Sequence, residues 1–351
     1  MFNPRYQLTD AIVSMLTAIA EARAVIQRAK ILPKNEIRLR RQALIRMTHS
    51  STAIEGNRLN LLQVQALASR KKIDAPARDI YEVENYLNAM RYVEEVVKKK
   101  KTITEKVILK IHHLVTFRTL APEYSGHYRK GPIYVVRHKL GMPVETIYTG
   151  PAAKKVPQLV RNLVEWIRKS EENNVNPVIA AGIVHQEIAA IHPFNDGNGR
   201  TARALATLVL YLRGYDFRRL FALEDYYNED RPEYYKAINI GKSYDERRVD
   251  FSPWLHYFVK GFQDEINKVK EQALSFSVHK VGKEVQSKIY LDQLQIQILD
   301  FLDKIGQINV QDVVDILDCP KRTAQSHLLK LKKLKMIVQV GKGPAAHYKL
   351  A

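Results

Sequence analysis

The sequence predicts a mainly α-helical protein with one β-hairpin in its middle and a small winged helix-turn-helix domain at its C-terminal end. Three observations lead there. Apolar residues recur at helical spacing through most of the chain. Two short β-rich runs flank a Gly-containing connection near residue 140. The last sixty residues read as three helices followed by two strands.

In the first helix pattern Ile12, Met15, Leu16 and Ile19 share a face, and in the second Leu39, Ala43, Leu44 and Met47, which ends near Gly56 and Asn57. A third runs through Tyr81, Val83, Tyr86, Leu87 and Met90, and Thr104 is the expected N-cap of the helix VILKIHHLV. Gly131 and Pro132 precede the extended run Ile133 to Arg137; Gly141 and Pro143 lead into Val144 to Tyr148. From Ala152 to about Lys270 the pattern is helical. The expected organisation is N-terminal helices over 1–103, a core over 104–270 with its hairpin at 132–149, a polar linker over 271–288 that includes Gly282, and a tail domain over 289–351. In that tail Leu291 to Leu302 and Val310 to Leu317 form two helices, with a turn at Asp318-Cys319-Pro320. Pro320 opens the third helix, on which Ala324, Leu328, Leu331 and Leu334 face one way. Val338 and Val340, the turn Gly341-Lys342-Gly343-Pro344, then Tyr348 and Leu350 make the wing.

A hydrophobic share of 46% and a charged share of 26% are ordinary for a globular protein. No apolar run has the length of a membrane span, and no signal peptide is visible at the N-terminus, so no membrane partner is expected. Cys319 is the single cysteine; an internal disulfide is excluded and a reducing cytoplasm is the natural setting. A net charge of +19 points to acidic partners, with nucleic acid, nucleotide phosphates and acidic protein surfaces all open.

The chemistry concentrates in His192-Pro193-Phe194-Asn195-Asp196-Gly197-Asn198-Gly199-Arg200-Thr201-Ala202-Arg203, between two helix patterns. A glycine-containing loop entering a helix offers backbone N–H groups and a positive dipole end to polyphosphate. Arg200 and Arg203 in the first turn oppose that dipole, which makes sense with anionic phosphate between them and the helix end. Asp196 supplies a hard oxygen ligand suited to phosphate-bound Mg²⁺, and His192 a base suited to neutral pH.

This string is similar to the Fic family motif, His-Pro-Phe-x-(Asp/Glu)-Gly-Asn-Gly-(Arg/Lys)-x-x-Arg, and matches it at every defined position. The resemblance covers roughly residues 40–260. It implies a Fic helical core whose β-hairpin is the flap that aligns a target peptide. Gly126-His127-Tyr128-Arg129 precedes that flap, as a Gly-x-(Tyr/Phe)-Arg element does in the family; the flap's usual closing prolines are replaced by Gly150-Pro151-Ala152. The resemblance further implies AMP transfer from ATP to a Ser, Thr or Tyr hydroxyl of a protein, the chain itself included. His192 would take the hydroxyl proton and Phe194 anchor the loop. Asp196 would hold Mg²⁺; Gly197, Asn198 and Gly199 would cradle phosphate, with Arg200 and Arg203 on the outer phosphates. Tyr234-Tyr235 resembles an adenine-side tyrosine pair, Tyr235 being the contact; a core role for either is equally open. Lys242 stands where some relatives carry an Asn.

Ser51-Thr52-Ala53-Ile54-Glu55-Gly56-Asn57 resembles a second family signature, Ser/Thr-x-x-x-Glu-(Gly/Asn), found in an inhibitory helix. Ser51 and Glu55 share a helix face, and a carboxylate at a helix end calls for a cation elsewhere. The resemblance supplies it as Arg203, which Glu55 would keep from the γ-phosphate. A winged helix-turn-helix most often binds duplex DNA. Arg322, Thr323, Gln325, Ser326 and the wing's Lys342 are the expected contacts, with a protein–protein role as the alternative. From Lys288 onward ten basic residues face six acidic ones, so most of the positive charge lies outside the tail. Three other readings stay open: a DNA-binding regulator whose Fic domain senses nucleotide with little turnover, transfer of another nucleotide, and removal of AMP. A homo-oligomer is also compatible with the sequence.

Overall fold

The computed structural model of the chain describes residues 2–139, 142–239, 241–247, 250–277, 291–317, 319–341 and 346–350. Two compact units emerge, one built from residues 1–27 and 42–271, the other from 28–41 and 272–351. Lys342, Asp318, Gly141, Gly282 and most of the expected linker lie outside the described residues.

The first unit is helical, as its periodicity predicts: α1 (Asp10–Arg28), the end of α2 (Pro33–Ile54), α3 (Leu61–Ala68), α4 (Ala77–Lys98), α5 (Glu105–Thr116), α6 (Val156–Glu172), α7 (Pro177–Ile191), α8 (Asn198–Leu212), α9 (Leu223–Glu229), α10 (Arg231–Ile238) and α11 (Ser252–Ser275). Its centre is the pair α7 and α8, which pack on each other and are buried on nearly every face. A helix apolar all round belongs in a core. The side chains of α4 and α5 cover α8, and α6 covers α7. Thr104 caps α5 by accepting from the Val107 N–H. The periodicity did not single out α3, which starts on a local signal, a reciprocal capping box between Asn60 and Gln63.

Helix does not continue unbroken from 152 to 270. Residues 213–222 and the described residues between α10 and α11 leave the helical path, the first through Gly214 and three successive positive-φ residues, Phe217 to Arg219. The second runs beside the flap: Thr149 N–H donates to the Lys242 carbonyl and Tyr244 N–H to the Thr149 carbonyl. The flap pairs β1 (Tyr134–Lys139) antiparallel with β2 (Met142–Thr149), with register shifts at Val135/Val136 and Arg137/His138. Residues 271–275 of the expected linker are the last turn of α11.

The second unit contains α12 (Gln293–Ile305), α13 (Val310–Leu317) and α14 (Lys321–Lys333), then β3 (Ile337–Val340) paired antiparallel with β4 (His347–Leu350). Ile298, Leu302, Val313, Ala324, Leu328, Leu331 and Ile337 form its core. Asp292 caps α12 in a box with Gln295, two residues inside the start expected from Leu291. Pro320 is the N-cap of α14 rather than its first residue: its ψ of 145° is extended, not helical. Among the described residues no helix is long and apolar enough to cross a membrane.

Close contact between α7 and α11 depends on Gly182. Trp254 Nε1 donates to the Gly182 carbonyl at 2.7 Å, and a Cβ at Gly182 would lie 2.8 Å from Leu255 and 3.1 Å from Phe258. Gly182→Val is therefore expected to destabilise the first unit by about 1–3 kcal/mol, the usual range for overpacking, as measured by urea unfolding.

Candidate functional site

His192 ends α7 in a left-handed conformation, φ 48° and ψ 59°, with its N–H bonded to the Ile188 carbonyl. That turn aims the following residues back across α8. The ring Nδ1 lies 3.0 Å from the Ala189 carbonyl. A carbonyl only accepts, so Nδ1 carries the proton and Nε2 keeps the lone pair a base needs. Burial lowers the imidazole pKa from its ordinary 6.5, against the upward pulls of the Ala189 carbonyl and the Glu55 carboxylate.

Side chains from elsewhere hold the loop that follows. Phe194 is fully buried and stacks on His112 of α5, ring centroids 3.6 Å apart and planes 3° from parallel. His112 Nε2 donates to the Asp196 carbonyl at 2.9 Å, and its Nδ1 accepts from the Gly126 N–H at 2.9 Å. The bond accepted by Nδ1 needs the neutral ring, and burial pushes its pKa down to about 4. The Asn198 side chain bonds the Phe194 N–H and carbonyl, so only its backbone N–H remains for an anion. Arg129, 3% exposed, donates to the carbonyls of His192, Gly131 and Pro151, tying the flap's start and end to the backbone after α7. In the sequence His112 lies inside a helix pattern and Arg129 in the Gly-x-(Tyr/Phe)-Arg element. Two consecutive histidines on an amphipathic helix were the available signal.

At the start of α8, Gly197 takes φ +76° and no side chain caps the helix. The space above Gly199 is filled by Glu55: a Cβ at Gly199 would meet Glu55 Oε1 at 2.3 Å and Arg203 Nη1 at 3.1 Å. A carboxylate thus sits on an uncapped helix N-terminus, a natural anion seat. Arg203 donates from Nη2 to Glu55 Oε1 at 2.7 Å and to the Ser51 carbonyl at 2.8 Å, and from Nε to Ser51 Oγ at 2.8 Å. Burial alone would lower the guanidinium pKa, but Glu55, Tyr234 and Tyr86 outweigh it and the net shift is upward. Glu55 itself is the C-cap of α2, one residue beyond the helix. Gly56, φ +96°, donates to Ala53 and Asn57 to Thr52, a Schellman turn that needs the glycine. Asn57 then bonds Glu82 Oε2 and the Asp79 carbonyl of α4.

Arg200 is equally buried, and it points to Asp196 Oδ1 at 3.3 Å and Glu82 Oε1 at 3.6 Å. Its Nε and Nη1 make no hydrogen bond among the described residues, donors left over for a ligand. Asp196 is 38% exposed at its side chain; Oδ1 also accepts from the Gly197 N–H, and Oδ2 lies 3.4 Å from Arg78. Among the described residues no three ligating side chains cluster. A single accessible carboxylate suits Mg²⁺ carried on phosphates and water, not a metal caged by protein.

Tyr234 is buried, shares its hydroxyl with His185 Nε2 at 3.0 Å and stacks on Tyr227. Tyr235 is 46% exposed and its hydroxyl donates to the Ile54 carbonyl at 2.9 Å, beside Glu55. Lys242 accepts from Thr149 through its carbonyl, as above. In the second unit Arg322, Gln325 and Ser326 stand exposed on α14 and Thr323 is half-buried.

The geometry defines a helical domain with an anion seat at a helix start, flanked by a neutral histidine and two buried arginines. The sequence profile of the Fic/DOC family matches residues 102–210, the stretch from just before α5 to near the end of α8. The chain carries a Fic domain over this stretch. It is similar to the protein adenylyltransferase Fic of Drosophila grimshawi, 31% identical over 202 residues, or 57% of this chain and 38% of that protein. The corresponding Drosophila willistoni protein is 31% identical over 208 residues, 59% of this chain and 38% of its own. The chain thus spans less than two-fifths of the length of these curated relatives. Among solved structures, a Fic family protein from Desulfovibrio desulfuricans G20 aligns over 100% of this chain and 98% of its own, with a TM-score of 0.65 and 24% identity. Fic-1 (residues 134–508) from C. elegans aligns over 76% of this chain and 73% of its own, with a TM-score of 0.60 and 25% identity.

The tautomer and the buried setting of His192 have a direct readout. In an NMR titration His192 is expected to change charge below pH 6.5, and at still lower pH in Glu55→Gly, because the carboxylate it loses stabilises the protonated ring. An unchanged or higher midpoint in the variant contradicts the electrostatic coupling.

Proposed function

We propose that the chain is a protein adenylyltransferase that moves AMP from ATP to a Ser, Thr or Tyr hydroxyl of a protein, its own chain included, in a cytoplasmic setting. The observation that carries this reading is the free Nε2 of a neutral His192 next to an anion seat at the start of α8. The adenylyltransferase relatives supply the choice of nucleotide and acceptor. His192 accepts the hydroxyl proton as the oxygen attacks the α-phosphorus; the bond from that phosphorus to the bridging oxygen breaks and pyrophosphate leaves. Backbone N–H groups at Asn198 and Gly199 and the unpartnered donors of Arg200 receive phosphate charge. Asp196 would hold Mg²⁺, which neutralises phosphate charge when bound. The flap, held at its base by Arg129, offers a strand edge to a target segment.

Glu55 acts as a built-in inhibitor in this reading. Its carboxylate engages Arg203 and covers Gly199, so ATP must displace it or bind out of line. Tyr235, bonded to the Ile54 carbonyl, steadies the end of the inhibitory helix; it also leaves an exposed ring face for adenine. We further propose that the second unit is a winged helix-turn-helix that binds duplex DNA. Its support is α14, whose Ala324, Leu328 and Leu331 are buried while Arg322, Gln325 and Ser326 face solvent.

Self-labelling with α-labelled ATP and Mg²⁺ tests the first reading. Glu55→Gly is expected to label at least about tenfold faster than the parent, the factor that ~1.4 kcal/mol of competition for Arg203 represents. Arg203→Ala and the Glu55→Gly/Arg203→Ala double should both stay slow, because the gain acts through Arg203. His192→Ala in the Glu55→Gly background should lose about 10²–10⁴-fold while still binding ATP. A double mutant with the full gain would show that Arg203 is not the inhibitor's target.

For the tail, Arg322→Ala/Gln325→Ala should weaken salt-sensitive duplex binding by at least about tenfold, since a base contact is worth ~1–3 kcal/mol, and leave self-labelling unchanged. Equal DNA binding by the variant in a filter or anisotropy assay would move the nucleic-acid surface elsewhere.

A further inference from the structure

A second basic concavity lies away from the anion seat. It is a cleft of about 460 Å³ between α3 and α4. Its floor is apolar, formed by Leu67, Ile73, Ile80 and Leu87, which belong to or pack on a small core cluster of the first unit. Its rim carries Arg70, Lys71, Lys72 and Arg91, against one lining carboxylate, Glu84. None of the four cations makes an ion pair among the described residues; Arg91 donates to the neutral Asn88 Oδ1 at 2.6 Å. Lys99, by contrast, pairs with Glu95 and Arg168 with Glu172.

Two features focus the charge. Arg70 follows the C-cap of α3 and takes φ +58°, with its N–H on the Leu67 carbonyl and the Lys71 N–H on the Ala66 carbonyl. Glycine is the usual occupant of such a position, so a guanidinium is held there against a backbone preference. Burial and then the Arg70 charge lower the pKa of Arg91, against an upward pull from Glu94. Arg70 and Arg91 line the same cleft, where an anion would meet both. On α4 the lining residues 80, 84, 87, 88 and 91 share one helical face, whereas Arg78 and Glu82 lie on another and serve Asp196 and Arg200. The cleft is thus separate from the site already described.

We propose that this cleft binds a small phosphomonoester with an apolar or aromatic body. A phosphomonoester brings nearly two negative charges and three acceptor oxygens to one point, and arginine pairs receive it bidentately. The apolar floor and the volume suit a ligand of small-molecule size.

Phenyl phosphate and inorganic phosphate, titrated calorimetrically into the 351-residue chain, are the probes. Phenyl phosphate should bind saturably and at least about tenfold more tightly than inorganic phosphate, a gap of ~1.4 kcal/mol from the buried ring. Arg70→Gly/Arg91→Gln should weaken phenyl phosphate at least about tenfold. Glycine suits φ +58°, so this variant keeps the backbone, and an unchanged Tm checks that. Lys71→Glu/Lys72→Glu, at exposed positions, should weaken it in the same direction. Arg203→Ala should leave it unchanged. The proposal is overturned by absence of saturable binding, by equal affinity for the two probes, or by binding that survives both cleft variants or is lost in Arg203→Ala.

Discussion

Arg203, 2% exposed at the heart of the first unit, carries a full charge that water does not solvate. Such a group must be surrounded by acceptors or it destabilises the fold. Three come from one place, the last turn of α2: Ser51 Oγ, the Ser51 carbonyl and Glu55 Oε1. The requirement works in both directions. The arginine fixes where α2 ends, and the end of α2 fixes which face of the α8 N-terminus is covered. Ser51 is fully buried in the process, and the Schellman turn at Gly56 and the Asn57–Glu82 bond carry the constraint on into α4.

The glycine-rich loop is likewise held by contacts of its own residues. Left-handed residues at His192 and Gly197 bracket it, Phe194 is wedged between His112 and Tyr128, and Asn198 closes it on itself. Preorganised N–H groups cost little to use when charge arrives, which is the property an electrostatic site needs. Arg203 bonds Ser51 twice besides its bond to Glu55.

The acidic residues near the loop divide by burial. Glu82, 6% exposed, spans Asn57, Arg78 and Arg200, and so joins the turn after α2 to the start of α8. Asp196 is more open and shares its oxygens with Arg200, Arg78 and the Gly197 N–H. Its partners can exchange with solvent or a cation, whereas those of Glu82 are locked in.

Much of this could be read from the chain alone, for a physical reason in each case. Helical periodicity marks α1, α2, α4 and α5 because their neighbours are local in sequence. A twelve-residue string around His192 holds that histidine, the glycines and both arginines, and Glu55 at a helix end implied a distant cation. Other features needed the fold. The capping box of α3 was present but its helix is short and weakly periodic. The break between α10 and α11 runs where Lys242 and Tyr244 pair with Thr149. His112, Arg129 and Glu82 act across 84, 63 and 118 or fewer residues of chain, and no spacing rule reports that. Chemistry within one loop is written in the sequence, because residue order and turn geometry place it. Which carboxylate meets which buried arginine was decided by packing, since only the folded core removes water and makes each charge find a partner.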